Sequence, residues 1–255
     1  MDKSRERNSP DQLSIVGDQL VIGDWQADLS EVVAAGAEIR VLLREERTED
    51  ARALLQGCTV ARQVALVSID EKPEEILSLT GMDASGVPAY RQEVVDHLPS
   101  PVLCELVAPN EHRMVRFNST LLATMSPQTL QRTVDDSLDP VLYHGYRGQV
   151  SWEWLEAIAS LGDTNRIAQL LSAIDVSVLE DALIPRVDDV DMNATIAGNG
   201  VSVSAFRSLA EDSAGLTLPP LRDPESAAII QALHQAAPEL IAQALRQAWE
   251  RAGAL

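Results

Sequence analysis

The sequence predicts a mainly α protein: an irregular superhelix or bundle of many short helices, with small β-hairpins near 13–24 and 195–204. Three observations lead to this reading. Ser-Pro or Asp-Pro pairs stand at Ser9-Pro10, Ser100-Pro101, Ser126-Pro127, Asp139-Pro140 and Asp223-Pro224. Proline has no N–H and a φ already near the helical value, so it suits the first helical position, while Ser or Asp before it caps the exposed N–H groups. Hydrophobic residues make up 45% of the chain but aromatics only 4%, so the core is built from Leu, Ile, Val and Ala, which suits helices packed closely together. Finally, the apolar residues recur at helical spacing in segments of about ten residues, each too short to be stable alone in water.

The elements follow in order. Residues 1–12 read as a flexible lead. LSIVGDQLVIGDW (13–25) alternates around Gly17-Asp18, with Ile15, Leu20 and Ile22 on one side of a hairpin that must pack on something. Asp28-Leu29-Ser30-Glu31 has capping-box form, so Glu31 is expected to reach back to its cap, with Val32, Gly36, Ile39 and Leu43 on one face. Thr48-Glu49-Asp50 opens a helix with Ala51, Leu54 and Leu55 inward and Gly57 as its stop. TVARQVALVSI (59–69) fits a short helix or a buried strand, and helix is the preferred reading. Lys72-Pro73 starts a short helix that should end at Gly81, and 82–88 is loop chemistry. Tyr90, Val94 and Leu98 share a face. Asn110 is placed to cap one helix through Met125, with Met114, Phe117, Leu121 and Met125 as its stripe.

Ser151 is placed to cap WEWLEAIASL. Gly162-Asp163 ends that helix and caps the next, where Ile167, Leu170, Leu171 and Ile174 turn inward. Asp175 caps a third, with Val176, Leu179 and Leu183 inward and Pro185 as the stop. Asn199-Gly200 between β-branched residues is a hairpin signal. Two last helices cover 224–236 and 238–252. The predicted organisation is one helical domain over 13–255, with a division into subdomains 13–98 and 99–255 left open and a hairpin insertion at 185–206. SPVLCELV (100–107), SPQTLQRTV (126–134), DVSVLEDALI (175–184) and APELIAQALRQAW (237–249) share a cap or turn residue followed by an apolar residue, which suggests irregular helical repeats without a strict period.

This alternation of short helices with Leu-x-x-Leu cores resembles the helical N-terminal domain of bacterial magnesium channels and flagellar motor-switch-type superhelices. Trp152–Pro185 also resembles an uncharacterised bacterial helical-repeat family with a WLE…L…G…LL…D…L pattern, here Trp154-Leu155-Glu156, Leu161-Gly162, Leu170-Leu171, Asp175 and Leu179. The resemblance covers about a sixth of the chain and implies a style of fold and no activity. The magnesium-channel relatives bind cations through acidic side chains, but no position here aligns with theirs and no ligand is carried across.

A formal net charge of −19 repels phosphate backbones and anionic lipid, so nucleic acid and membrane insertion are not expected as partners. A protein partner with a basic surface, or a cation, would be attracted, although acidity also serves solubility alone. With only Cys58 and Cys104, no apolar leader at the N-terminus and no bilayer-spanning run, a cytoplasmic location is expected. No phosphate-binding glycine loop, dinucleotide fingerprint or nucleophile elbow is present, and no cofactor is expected. His97, Cys104 and His112 lack metal-ligand spacing. Asp189-Val190-Asp191-Met192-Asn193 begins like a calcium loop but has Ala194 where glycine is needed and Gly200 where a bidentate Glu is required. Asp188, Asp189 and Asp191 are the metal candidates that remain.

One polar-aromatic cluster is singled out. LYHGYRGQVSWEW (142–154) holds Tyr143, His144, Tyr146, Arg147 and Trp152, residue types enriched at binding hot spots and equally suited to plugging a junction between helices. The function expected is a non-catalytic protein–protein interaction module: an adaptor, complex subunit or assembly factor contacting its partner through 142–154 and the acidic 188–191 loop. The alternatives are an enzyme with His97, His112 or His144 in a helical cleft, or a cation-responsive regulatory module.

Overall fold

The computed structural model describes residues 13–23, 25–82, 88–107, 118–138, 147–187 and 224–252. They form thirteen helices, a three-stranded antiparallel sheet and a two-stranded ribbon, so the fold is mainly α as expected. The lead over 1–12 and the hairpin predicted at 195–204 lie outside the described residues. The chain divides into two compact units, Met1–Thr129 and Leu130–Leu255.

The first unit opens with β1 (Leu13–Val16), β2 (Gln19–Ile22) and β3 (Trp25–Asp28) in the order β1-β2-β3. The predicted hairpin is therefore part of a larger meander. Gly17, at φ 63, is the only central residue of the β1–β2 turn with positive φ, the type II′ pattern. Then come α1 (Leu29–Arg44), α2 (Thr48–Gln56), α3 (Val60–Ile69) and α4 (Pro73–Leu77). The ribbon of β4 (Gly81–Met82) and β5 (Pro88–Ala89), α5 (Gln92–Val95), α6 (Ser100–Val107) and α7 (Ser119–Thr124) follow. Residues 60–69 are helical, the preferred of the two readings. The short helix at Pro73 ends at Leu77, four residues before Gly81.

Local chemistry explains these boundaries. Asp28 caps α1 by accepting from the Glu31 N–H at 3.0 Å, but Glu31 does not complete a capping box: its carboxylate pairs with Arg62 of α3. Val32, Ile39 and Leu42 turn inward, with Leu42 where Leu43 was expected. Gly36 lies where α1 approaches α3, and a Cβ there would stand 3.3 Å from Leu66 Cδ2. Arg40 of α1 clamps the α3–α4 turn by donating to Asp70 and Glu75. Hydrogen bonds from Lys72 and Arg40 hold the Glu75 carboxyl below its ordinary range, so the Glu75 arm of this clamp is complete at neutral pH and is lost as pH falls through that lowered value. Of the helix predicted from Asn110 to Met125, residues 110–117 lie outside the described residues, and the rest does not continue through 118: α7 starts at Ser119, because Asn118 accepts from the Leu121 N–H at 3.0 Å and caps it.

The division between the units falls inside α8 (Pro127–Ser137), whose start behaves as Ser-Pro predicts: Ser126 Oγ accepts from the Thr129 N–H. The second unit holds α9 (Arg147–Ala159), α10 (Thr164–Leu171), α11 (Val176–Leu183), α12 (Pro224–Ala236) and α13 (Pro238–Ala252). Asp163 accepts from the N–H groups of Asn165 and Arg166, and Asp175 from that of Ser177, so both are the predicted caps. Ser151 is not a cap. It is fully buried inside α9, which starts four residues earlier, and its Oγ has no hydrogen-bond partner among the described residues. α11 packs against α9 and α13, while α12 packs on α9, α10 and α13. The inward face of α13 is the predicted one, with Ile241, Ala244, Leu245 and Ala248 buried.

Two helix ends adopt left-handed backbone with opposite chemistry. After α1, Glu46 sits at φ 60 while its N–H donates to Leu43 O and that of Arg47 to Leu42 O, a Schellman ending with Glu where glycine is favoured. After α9, Gly162 sits at φ 70 with open space where a Cβ would go. Glu46→Gly should therefore stabilise the first unit, and Gly162→Ala destabilise the second, each by about 1 kcal/mol. Thermal unfolding followed by circular dichroism should show shifts of opposite sign, about 3 °C each.

Candidate functional site

Of the five aromatic-cluster residues, Tyr143, His144 and Tyr146 lie outside the described residues, and Arg147 is the first residue of α9. Trp152 is 6% exposed. The Arg186 guanidinium, just beyond α11, lies 4.0 Å from its ring centroid, a cation–π contact that seals the α9–α11 packing. Trp154 is also buried, and its indole N–H donates to Ser137 Oγ at 2.8 Å. Both tryptophans thus serve the fold of the second unit. Asp188, Asp189 and Asp191 lie outside the described residues.

The groups that would support catalysis are not gathered among the described residues. His112 and His144 lie outside them. His97, just after α5, has its ring centroid 4.3 Å from that of Trp25 on β3. Its Nδ1 lies 2.7 Å from Glu93 O, and since a carbonyl only accepts, Nδ1 carries the proton. His234 is buried in α12. Burial pushes the Cys58 thiol up, away from the thiolate a nucleophile needs. Among the described residues no three His, Cys, Asp or Glu side chains are placed to hold a metal ion. A groove of about 460 Å³ runs along α13, lined by Glu239, Gln243, Arg246, Gln247 and Glu250. Those lining residues all come from one helix, so among the described residues no second element brings an acid, base or nucleophile to them. Nor is any described helix long and apolar enough to cross a membrane.

The first unit offers a different feature. Every large hydrophobic side chain found exposed among the described residues belongs to it, and most lie on β1 and α1. The strand register shows why β1 is unusual. Ile15 stands opposite Leu20, and Leu13 opposite Ile22, so these four side chains project from one face of the sheet, together with Ala27 opposite Leu20 on β3. On that face Leu20, Ile22 and Ala27 are buried, yet Ile15 is 61% exposed and Leu13 is exposed as well. The apolar face continues past its cover. β1 is an edge strand with no Pro and no charged side chain, and among the described residues it pairs with β2 alone.

Strand periodicity alone could not find this overhang. The alternation in 13–25 reports that a face is apolar, but how far it is covered depends on elements later in the chain, such as α1 and α3, which pack on β3. No family model, curated protein or solved structure matches the chain.

Because Trp152 is structural, Trp152→Ala should cost about 3–5 kcal/mol, the range for emptying a buried tryptophan site. Arg186→Met, which keeps the cover and removes the charge, should cost about 1 kcal/mol. Chemical denaturation monitored by tryptophan fluorescence measures both, and a Trp152→Ala variant with unchanged stability would contradict this placement.

Proposed function

We propose that the protein is a non-catalytic protein–protein interaction module, an adaptor, complex subunit or assembly factor built on short helices of irregular repeat style. The observation that supports this most is the overhanging β1. An edge strand that continues a buried apolar face beyond its cover offers two things at once. Its outer backbone groups can pair with an extended segment of a partner, and Leu13 and Ile15 can take that segment's side chains. Backbone pairing supplies affinity and the side-chain positions supply selectivity. The net charge of −19 favours a partner with a basic surface and speeds its encounter. Cys58 and Cys104 are not joined in a disulfide, which suits the reducing cytoplasm proposed as its location.

The test is partner capture from the native host with the full chain as bait. Ile15→Lys adds a charge at a position exposed in the free protein, so helical content by circular dichroism should stay unchanged while recovery of the specific partner falls by about tenfold or more. Undiminished recovery with Ile15→Lys and with a second variant, Val16→Pro, would remove β1 from the docking surface.

A further inference from the structure

The outward face of α1 is the second uncovered apolar surface of the first unit. Helical periodicity lines up Ser30, Ala34, Ala37, Val41 and Arg44 along the side opposite the buried Val32, Ile39 and Leu42, and all five are exposed. Val33 borders this seam on one side. Val33 is 56% exposed and Val41 48%, in a helix whose solvent side would ordinarily carry charge. Along the other border Glu31, Glu38 and Glu45 recur every seven residues, forming a row parallel to the seam. Glu31 is paired with Arg62 and Glu45 with Arg47, whereas Glu38, at the middle of the row, has no ion-pair partner among the described residues.

We infer that this face of α1 receives an amphipathic helix of a partner protein whose apolar side packs on Ala34, Ala37 and Val41 and whose Lys or Arg border meets Glu38. The inference rests on the interaction-module reading and names the partner's chemistry. Ala34 and Ala37 carry no bulk, so an incoming helix can approach to the short end of the ordinary interaxial range, about 8 Å. Charge decides the occupant. In the antiparallel pairing that helix dipoles favour, a second copy of α1 centred on Ala37 would set Glu38 against its own counterpart, and each copy brings a net charge of −19. A helix with a basic border removes that repulsion and gives Glu38 a cation that the described residues do not supply.

The experiment uses the full chain and two fluorescent synthetic helical peptides with the same Leu/Ala seam, one bordered by Lys and one by Glu. Anisotropy titration should show the Lys peptide binding about tenfold tighter or better. Glu38→Lys should invert that order, and Ala37→Asp should abolish binding of both peptides, with circular dichroism of each variant unchanged. Equal affinity, no binding of either peptide, or a Lys preference that survives Glu38→Lys would overturn the inference. So would a concentration-dependent dimer in sedimentation that Ala37→Asp dissolves, since it would assign the face to a second copy. The two readings separate cleanly. If native partner capture is lost with Ile15→Lys but unaffected by Glu38→Lys and Ala37→Asp, the module reading stands and the α1 inference falls.

Discussion

A helix of eight residues leaves four N–H groups at its start with no intrahelical acceptor, half of its backbone donors. That deficit is the constraint on which the rest of this structure depends. Carboxylates answer much of it: Asp28 for α1, Asp163 for α10 and Asp175 for α11. Asp96 does the same at a distance, accepting from the Ser126 N–H at 2.8 Å and from Thr129 Oγ1 at 2.7 Å, so the end of α5 secures the start of α8 some thirty residues later. Part of the chain's acidity is thereby explained. Some of its acidic residues are hydrogen-bond acceptors required by short helices, and others, such as Asp70 and Glu75, are anchors for the Arg40 clamp.

This also explains how much was legible in the sequence. A cap acts on the two or three residues that follow it, so Asp163, Asp175 and the final pair of helices could be read from local spacing alone. The errors share a different origin. Ser151 has the residue type of a cap but lies inside α9, because the preceding turn from Arg147 is already helical. Asn118 is a cap inside a stripe that looked continuous, since Met114, Phe117, Leu121 and Met125 keep helical spacing across the break. Periodicity records which side chains could share a face, and it is blind to a cap that interrupts the backbone between them.

The candidate site was less legible than the fold, for a physical reason. Trp152 drew attention because tryptophan, tyrosine and arginine anchor interfaces, but the same large flat side chains close gaps between helices. For Trp152 it is the packing of later helices on α9, with Arg186 delivered from just beyond α11, that places the ring inside. Conversely, Ile15 and Val33 carry no unusual chemistry. Their significance comes from the cover they lack, a property that belongs to the packing of other elements and not to their own surroundings in the chain.

The overhang of β1 has a consequence for the colloidal behaviour of the protein. Bare apolar edge strands pair with one another, and this one lacks the lysines, prolines and bulges that usually prevent it. The repulsion of copies that each carry −19 takes over that protective role. Its reach is set by the electrolyte, about 8 Å at physiological ionic strength and about 3 Å at 1 M salt. The protein's solubility is thus a property it shares with its medium, and rising salt or falling pH brings its edge strands within range of each other.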